Sequence, residues 1–307
     1  MIKFSLYAAG CFLCILLCGC KNHQLYKDSR VMMGTFVEVS SPDKKASGIV
    51  FEEIKRIENL LSKYNPDSEV SRLNKFGKLA ASPDTFYIIE KSKEFWKAST
   101  GGFDISVAPL VDLWGFTDKK YSLPDEEKIK EILGLVGFDK IILHNGDNVI
   151  EFKTSGMKID LGAIAKGYAV DCAVRKLKEA GIKSCLVNAG GEIHALGDRF
   201  GQPWRVAVKS PRKVGFIDYL ELTDKAVATS GDYEQYFFQG NKRYAHIFNP
   251  KTGYPADSGV ASVTVIASDG VTADALATAI FVLGKVKGME LAKKFPGVKV
   301  EIIECLK

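Results

Sequence analysis

Between residues 46 and 62 the apolar side chains Val50, Ile54, Ile57 and Leu61 recur at spacings of four, three and four, which puts them on one stripe of an amphipathic helix. Residues 31–40 ahead of it read as a strand. Ser82-Pro83 combines an N-capping hydroxyl with a proline at the first helical position. Gly101-Gly102 ends that segment after Trp96, so a second helix is expected there. Residues 141–144 and 149–152 flank Asn145-Gly146-Asp147-Asn148, the pattern of a hairpin with a four-residue loop. A third helix is expected from Asp160 to Gly181. Strand-like runs follow at 185–187, 204–209, 219–222, 226–229, 244–248 and 260–267. A helix then opens near Thr272 and runs to Leu283, another follows it, and residues 298–303 close the chain as a strand. This order predicts an α+β fold of mixed, largely antiparallel strands with packed helices, rather than a doubly wound parallel sheet. No period of 20–50 residues recurs, which excludes a solenoid or propeller. No Pro-, Gly- or Ser-rich linker divides residues 31–307, so they form one domain.

The first nineteen residues differ from the rest. Lys3 supplies a short positive start, an uncharged apolar stretch runs from Phe4 to Leu17, and Leu17-Cys18-Gly19-Cys20 ends it. This is too short for a comfortable bilayer span of about 20 residues and has the layout of a secretory signal. Leu-x-Gly-Cys resembles a bacterial lipobox, so residues 1–19 are expected to be removed and Cys20 lipidated, with residues 20–30 as a polar tether. Lys21, where inner-membrane retention favours Asp, points to the periplasmic face of the outer membrane.

Composition narrows the class further. The 307 residues are 46% hydrophobic and 26% charged, which suits a globular protein and excludes a disordered or fibrous one. The 42 basic and 37 acidic residues leave no cationic excess, so nucleic acid is not an expected partner. Beyond the signal segment the cysteines are Cys172, Cys185 and Cys305. That odd, widely spaced set is neither a disulfide framework nor a zinc site, and thiols in apolar runs are ordinarily inert.

The informative polar residues sit in apolar surroundings. Asp160 and Lys166 bracket Leu161-Gly162-Ala163-Ile164-Ala165. Asp160 can cap the helix while Lys166 stays solvated, or both can serve a phosphate at a helix N-terminus. Asn188-Ala189-Gly190-Gly191-Glu192 is a Gly-rich turn without a Rossmann or Walker pattern. Asp274 and Thr278 lie four apart on an otherwise apolar helix, as a cap and a back-bonded threonine or as oxygen ligands of a hard cation such as Mg²⁺. His246 stands at the end of a strand, before Asn249-Pro250-Lys251-Thr252-Gly253. An unperturbed imidazole there would titrate near neutral pH.

In this order these segments resemble the ApbE family, the FAD:protein FMN transferases. The resemblance runs from Met33-Gly34-Thr35 through Leu61-Ser62-Lys63-Tyr64, Ser68 to Asn74 and Gly102 to Leu110 with Trp114-Gly115-Phe116. It continues through Asp160 to Asp171, Asn188 to Gly191, His246 to Pro255 and Ala273 to Thr278. It implies that Mg²⁺ is held by Asp274, Thr278 and the Ala163 carbonyl; oxygen ligands of this kind equally serve Mn²⁺ or Ca²⁺. It also implies that FAD meets Met33, Tyr64, the turn Val107-Ala108-Pro109, Asp160, Lys166 and His246. His246 would take the proton of the incoming hydroxyl and Lys166 would stabilise diphosphate charge. The implied reaction moves FMN from FAD to a Ser or Thr of an extracytoplasmic acceptor protein, such as a redox-pump subunit, and releases AMP. Two rivals remain: a Mg²⁺-dependent FAD pyrophosphatase giving FMN and AMP, and a flavin-binding lipoprotein without turnover.

Overall fold

Met33 and Gly34 both adopt left-handed backbone angles, with φ of 50° and 72°. They make a two-residue turn of the kind that suits the twist of an antiparallel hairpin. The single strand expected over 31–40 is therefore two strands, β1 (Tyr26–Met32) and β2 (Thr35–Ser41), paired from Tyr26↔Ser41 to Met32↔Thr35. In this computed structural model, which describes residues 24–305, strand begins inside the segment expected to be a tether. The expected signal segment and Cys20 lie outside the described residues.

The expected helix stripe is seen in α1 (Ala46–Leu61), whose Val50, Ile54, Ile57 and Leu61 are buried. Next come α2 (Glu69–Phe76), β3 (Lys78–Ala80), α3 (Pro83–Ala98), α4 (Ala108–Leu113) and α5 (Glu126–Leu133). Ser82 caps α3 as expected, accepting from the Thr85 N–H at 3.4 Å. Strands β4 (Ile141–His144) and β5 (Val149–Phe152) form the expected hairpin, and β5 also pairs with β3 in a small sheet. Helix α6 spans Ala165–Glu179, five residues later than expected at its start, because 160–164 form a turn tied down by other contacts. Then follow β6 (Cys185–Ala189), β7 (Glu192–Leu196), β8 (Trp204–Lys209), β9 (Phe216–Leu222), β10 (Lys225–Gly231), β11 (Tyr236–Gln239), β12 (Lys242–Ala245) and β13 (Val260–Ala267). The run expected over 244–248 is strand only as far as Ala245. Helix α7 (Gly270–Ala292) breaks at Gly284 (φ 77°, ψ 174°), so the two expected helices are successive halves of one kinked element. Strand β14 (Lys299–Glu304) ends the fold.

The central sheet has the order β1-β2-β6-β7-β10-β13-β14, with every neighbouring pair antiparallel. Strand alternation divides its two faces. Ala226 and Ala228 of β10 join the core beneath α1, α6 and α7, while Val227 points the other way. There it packs with Trp204, Val206 and Leu222 of the β8–β9 hairpin. A third cluster gathers Trp114 and Phe116 with Phe248, Phe237 and Tyr244, and Trp114 Nε1 donates to the Gly253 carbonyl at 3.1 Å. Each fully buried aliphatic or aromatic side chain contributes about 1.5–3 kcal/mol.

Helices α6 and α7 touch backbone to backbone. A Cβ added to Gly167 would fall far inside contact distance of the Gly270 carbonyl, and one on Gly270 would meet the Gly167 carbonyl in turn. Asp171 of α6 locks the crossing: its Oδ1 accepts from Gly270 N at 2.7 Å and its Oδ2 from Val271 N at 2.9 Å. Asp269 completes the cap by accepting from Thr272 N at 2.8 Å. Gly167→Ala is expected to lower stability by about 1–3 kcal/mol, since the obstructing atoms are backbone and cannot swing aside. Urea unfolding with an unchanged midpoint would show the crossing to be looser than it looks.

Candidate active site

The crossing aims Lys166 in the first turn of α6 and Asp274 and Thr278 of α7 into a cavity of about 480 Å³, bordered elsewhere by the β1–β2 turn, Tyr64 and the segment after β12. Met33, Tyr64, Val107, Asp160, Ala163, Lys166, His246, Asp274 and Thr278 all line it. Ala108 and Pro109 do not. The 3₁₀ turn Ile105–Val107 runs directly into α4, so these two residues pack inward and only Val107 of the expected turn reaches the cavity.

Asp160 caps no helix. Its Oδ1 accepts from Gly162 N at 2.8 Å and its Oδ2 meets Lys63 Nζ at 2.8 Å. Burial opposes the charge on Lys63, but Asp160 outweighs it and raises the ammonium pKa above its ordinary value. Lys63 Nζ also lies 5.1 Å from the centre of the Tyr64 ring. That ring is 67% exposed on the cavity lip, which leaves a flat aromatic face open to a planar ligand.

Asp274 is buried, and its Oδ2 accepts from Gly167 N at 3.0 Å. Burial raises its pKa, against the opposing pull of Lys166 and the Gly167 N–H. Thr278 does not bond back along its helix: its Oγ1 sits 3.1 Å from Ser230 Oγ. Lys166 is ion-paired with Glu192 at the start of β7. Burial works against the Lys166 charge, but Glu192 and then Asp274 raise its pKa above the ordinary lysine value. Glu192 is pushed up to about 7, by burial first and by Asp274 in addition.

Two crowded carboxylates thus share one ammonium. That imbalance, with the Thr278 hydroxyl and Ala163 facing the same space, suits an oxygen-seeking cation. Among the described residues no group of three or more His, Cys, Asp or Glu could hold a metal, which leaves a sparse oxygen set of this kind as the candidate.

His246 departs from the near-neutral titration expected of it. Burial, with Lys166 adding to it, lowers its pKa to about 4. Its Nδ1 lies 3.2 Å from the Gln235 carbonyl, which can only accept, so the neutral ring carries its proton there and leaves Nε2 as an acceptor. The thiols of Cys172 and Cys185 are buried, with pKa values raised to about 11 and 12 by that burial, and are unreactive. Sequence reasoning missed Lys63, Ser230 and the chemical part of Glu192. Adjacency to Tyr64 was the available signal for the first, and a carboxylate closing a Gly-Gly turn for the last.

A family model described as the ApbE family matches residues 33–302. The chain belongs to the ApbE family. It is 36% identical over 253 residues to a FAD:protein FMN transferase of Haemophilus influenzae, covering 78% of this chain and 73% of that one. It is 34% identical over 274 residues to the Klebsiella pneumoniae protein of the same name, covering 87% and 85%. Among solved structures, the ApbE protein of Thermotoga maritima superposes with a TM-score of 0.85 at 36% identity, covering 92% of this chain and 94% of that one. The flavin transferase ApbE of Vibrio cholerae superposes with a TM-score of 0.82 at 31% identity, over 92% and 94%. The α+β fold of this ApbE family member, with its largely antiparallel strands, is therefore the fold of flavin transferases.

The low His246 pKa makes a test possible. The unfolded chain takes up this proton near 6.5 but the folded chain only near 4, so stability is full above 6.5 and falls as the pH drops through that window. Relative to the wild type, His246→Gln is expected to lose less unfolding free energy between pH 6.5 and about 5; Glu192, which takes up its proton in the folded state across the same window with the opposite sign, is common to both proteins. An unchanged slope would place the acid sensitivity elsewhere.

Proposed function

We propose that this chain is a FAD:protein FMN transferase, acting on a Ser or Thr hydroxyl of an acceptor protein. The observation that carries this reading is the convergence, in the cavity of an ApbE family member, of Lys166, Asp274, Thr278 and His246 under an open aromatic lip. The hydroxyl oxygen forms a bond to the FMN phosphorus, the diphosphate P–O bond breaks, and AMP departs. The hydroxyl proton passes to His246 Nε2. A base this weak suits a loose transition state, in which the protein mainly positions groups and compensates charge.

FAD is held by Met33, Tyr64, Val107, Asp160, Lys166 and His246, with the Tyr64 ring against a planar part of the dinucleotide. Lys166 sets its ammonium against the diphosphate. Asp274, Thr278 and the Ala163 carbonyl are the residues that would hold Mg²⁺, whose charge would offset that of the diphosphate. A lipid on Cys20 would keep the enzyme on the periplasmic face of the outer membrane. Residues 20–26 extend at most about 20 Å, so the domain would stay close to that surface. Extracytoplasmic redox-pump subunits are the acceptors that fit this placement.

Hydrolysis of FAD to FMN and AMP uses the same groups, with water as nucleophile. The exposed Tyr64 favours transfer, because an aromatic clamp retains the dinucleotide until a protein hydroxyl arrives. Incubation with FAD, Mg²⁺ and an acceptor is expected to yield flavin fluorescence that survives denaturing electrophoresis. AMP release at the same rate with and without acceptor would identify a pyrophosphatase instead. Asp274→Ala is expected to abolish both activities and the rise in melting temperature that Mg²⁺ produces, while leaving the protein folded. Retained activity would remove Asp274 from the cation site. Cys20→Ser is expected to move the protein from the membrane to the soluble fraction.

A further inference from the structure

Glu192 begins β7 immediately after Gly190 and Gly191, whose φ angles of 66° and 104° turn the chain back toward the cavity. The side chain lines that cavity yet the residue is only 4% exposed. Its Oε1 is engaged by Lys166 Nζ. Its Oε2 is, among the described residues, the one buried side-chain nitrogen or oxygen without a hydrogen-bond partner. Leaving a buried carboxylate oxygen unpaired is costly, and holding Lys166 needs only the other oxygen. The reaction proposed above gives Oε2 no partner either.

The chemistry of the neighbourhood limits what that partner can be. While Glu192 is ionised in its pair with Lys166, a phosphate oxygen has no proton to donate to it and is repelled. The two oxygens of one carboxylate stand side by side, however. A phosphate docked on Lys166 therefore brings the alcohol groups around its phosphorus within reach of Oε2. We propose that Glu192 is a substrate-contacting residue whose Oε2 accepts a hydrogen bond from an alcohol hydroxyl beside the phosphate held by Lys166. This rests on the transferase reading. Two hydroxyls have the required chemistry: the Ser or Thr of the acceptor protein, and the hydroxyl of the flavin's ribityl chain nearest its phosphate. In either case Glu192 both fixes the ammonium that receives the phosphate and orients a hydroxyl next to it.

Glu192→Gln in the full-length protein separates this role from simple support of Lys166. The amide oxygen can keep Lys166 in place, while the amide nitrogen puts a donor where an acceptor is required. If the contact is to the ribityl hydroxyl, FAD affinity measured by flavin fluorescence is expected to fall by about tenfold or more. If it is to the acceptor, FAD affinity is expected to hold while kcat/KM for the acceptor falls by about as much. FAD affinity and transfer both within about twofold of the wild type would overturn the proposal.

Should the variant fold poorly, the wild-type protein offers a second measurement. An FAD analogue lacking that ribityl hydroxyl and an acceptor with Ala at the modified position are each compared with their parents for binding. At least one is expected to bind about tenfold more weakly, and unchanged binding of both would refute the contact. Failure of the transferase reading is distinguishable. The wild-type protein would then bind FAD and release AMP but modify no acceptor, and the FAD titrations with Glu192→Gln and with the analogue would still decide the role of Glu192.

Discussion

The site depends on a contact made without side chains. Where α6 meets α7, Gly167 and Gly270 let two backbones approach so closely that neither position has room for a methyl group. The approach brings the Gly167 N–H within 3.0 Å of Asp274 and lets Asp171 bond the first two amides of α7. Lys166 and Ala163 on one strand of chain and Asp274 and Thr278 on the other then face the same space. Separate the helices by the width of one carbon and this grouping is lost, although every residue would still be present.

The second constraint is electrostatic. Lys166 pairs with the Glu192 carboxylate and feels the charge of Asp274, and burial opposes the charge on all three. Such a cluster persists only because packing over-determines it, and functional sites are where proteins tolerate arrangements of this kind. The same burial that raises the two acids lowers the pKa of His246, so one physical cause leaves the cavity short of positive charge and furnishes it with an unprotonated imidazole. The Gln235 carbonyl then decides which ring nitrogen is free.

Much of this was legible in the chain. The stripe of α1, the Ser82-Pro83 cap, the β4–β5 hairpin and the antiparallel character follow from local chemistry that tertiary packing did not override. Met33-Gly34 does not announce a turn in the sequence because strand-favouring residues stand on both sides of it, and only the paired backbone reveals the hairpin. The capping alternative for Asp160 fails because Lys63, far away in sequence, engages Oδ2 while the Gly162 N–H donates to Oδ1. Of the turn Val107-Ala108-Pro109 only Val107 lines the cavity, because Ala108 and Pro109 open α4 and are buried, a distinction of one helical turn that spacing does not encode. The depressed histidine pKa depends on how many atoms crowd the ring, which no spacing encodes. Asp274 and Thr278 stand out in the sequence because polar groups on an apolar helix need a partner whatever the fold, and both reach the cavity.

The cavity also lies on a seam. Ile247, next to His246, packs into the core that also holds Ala165 and Ala273, whereas Phe248 packs with Trp114 in the separate aromatic cluster. A dinucleotide lying across that seam would act as mortar between two masonry blocks, fastening the aromatic cluster to the main core. Occupancy would then be felt as stiffening of the whole body, well beyond the walls of the cleft.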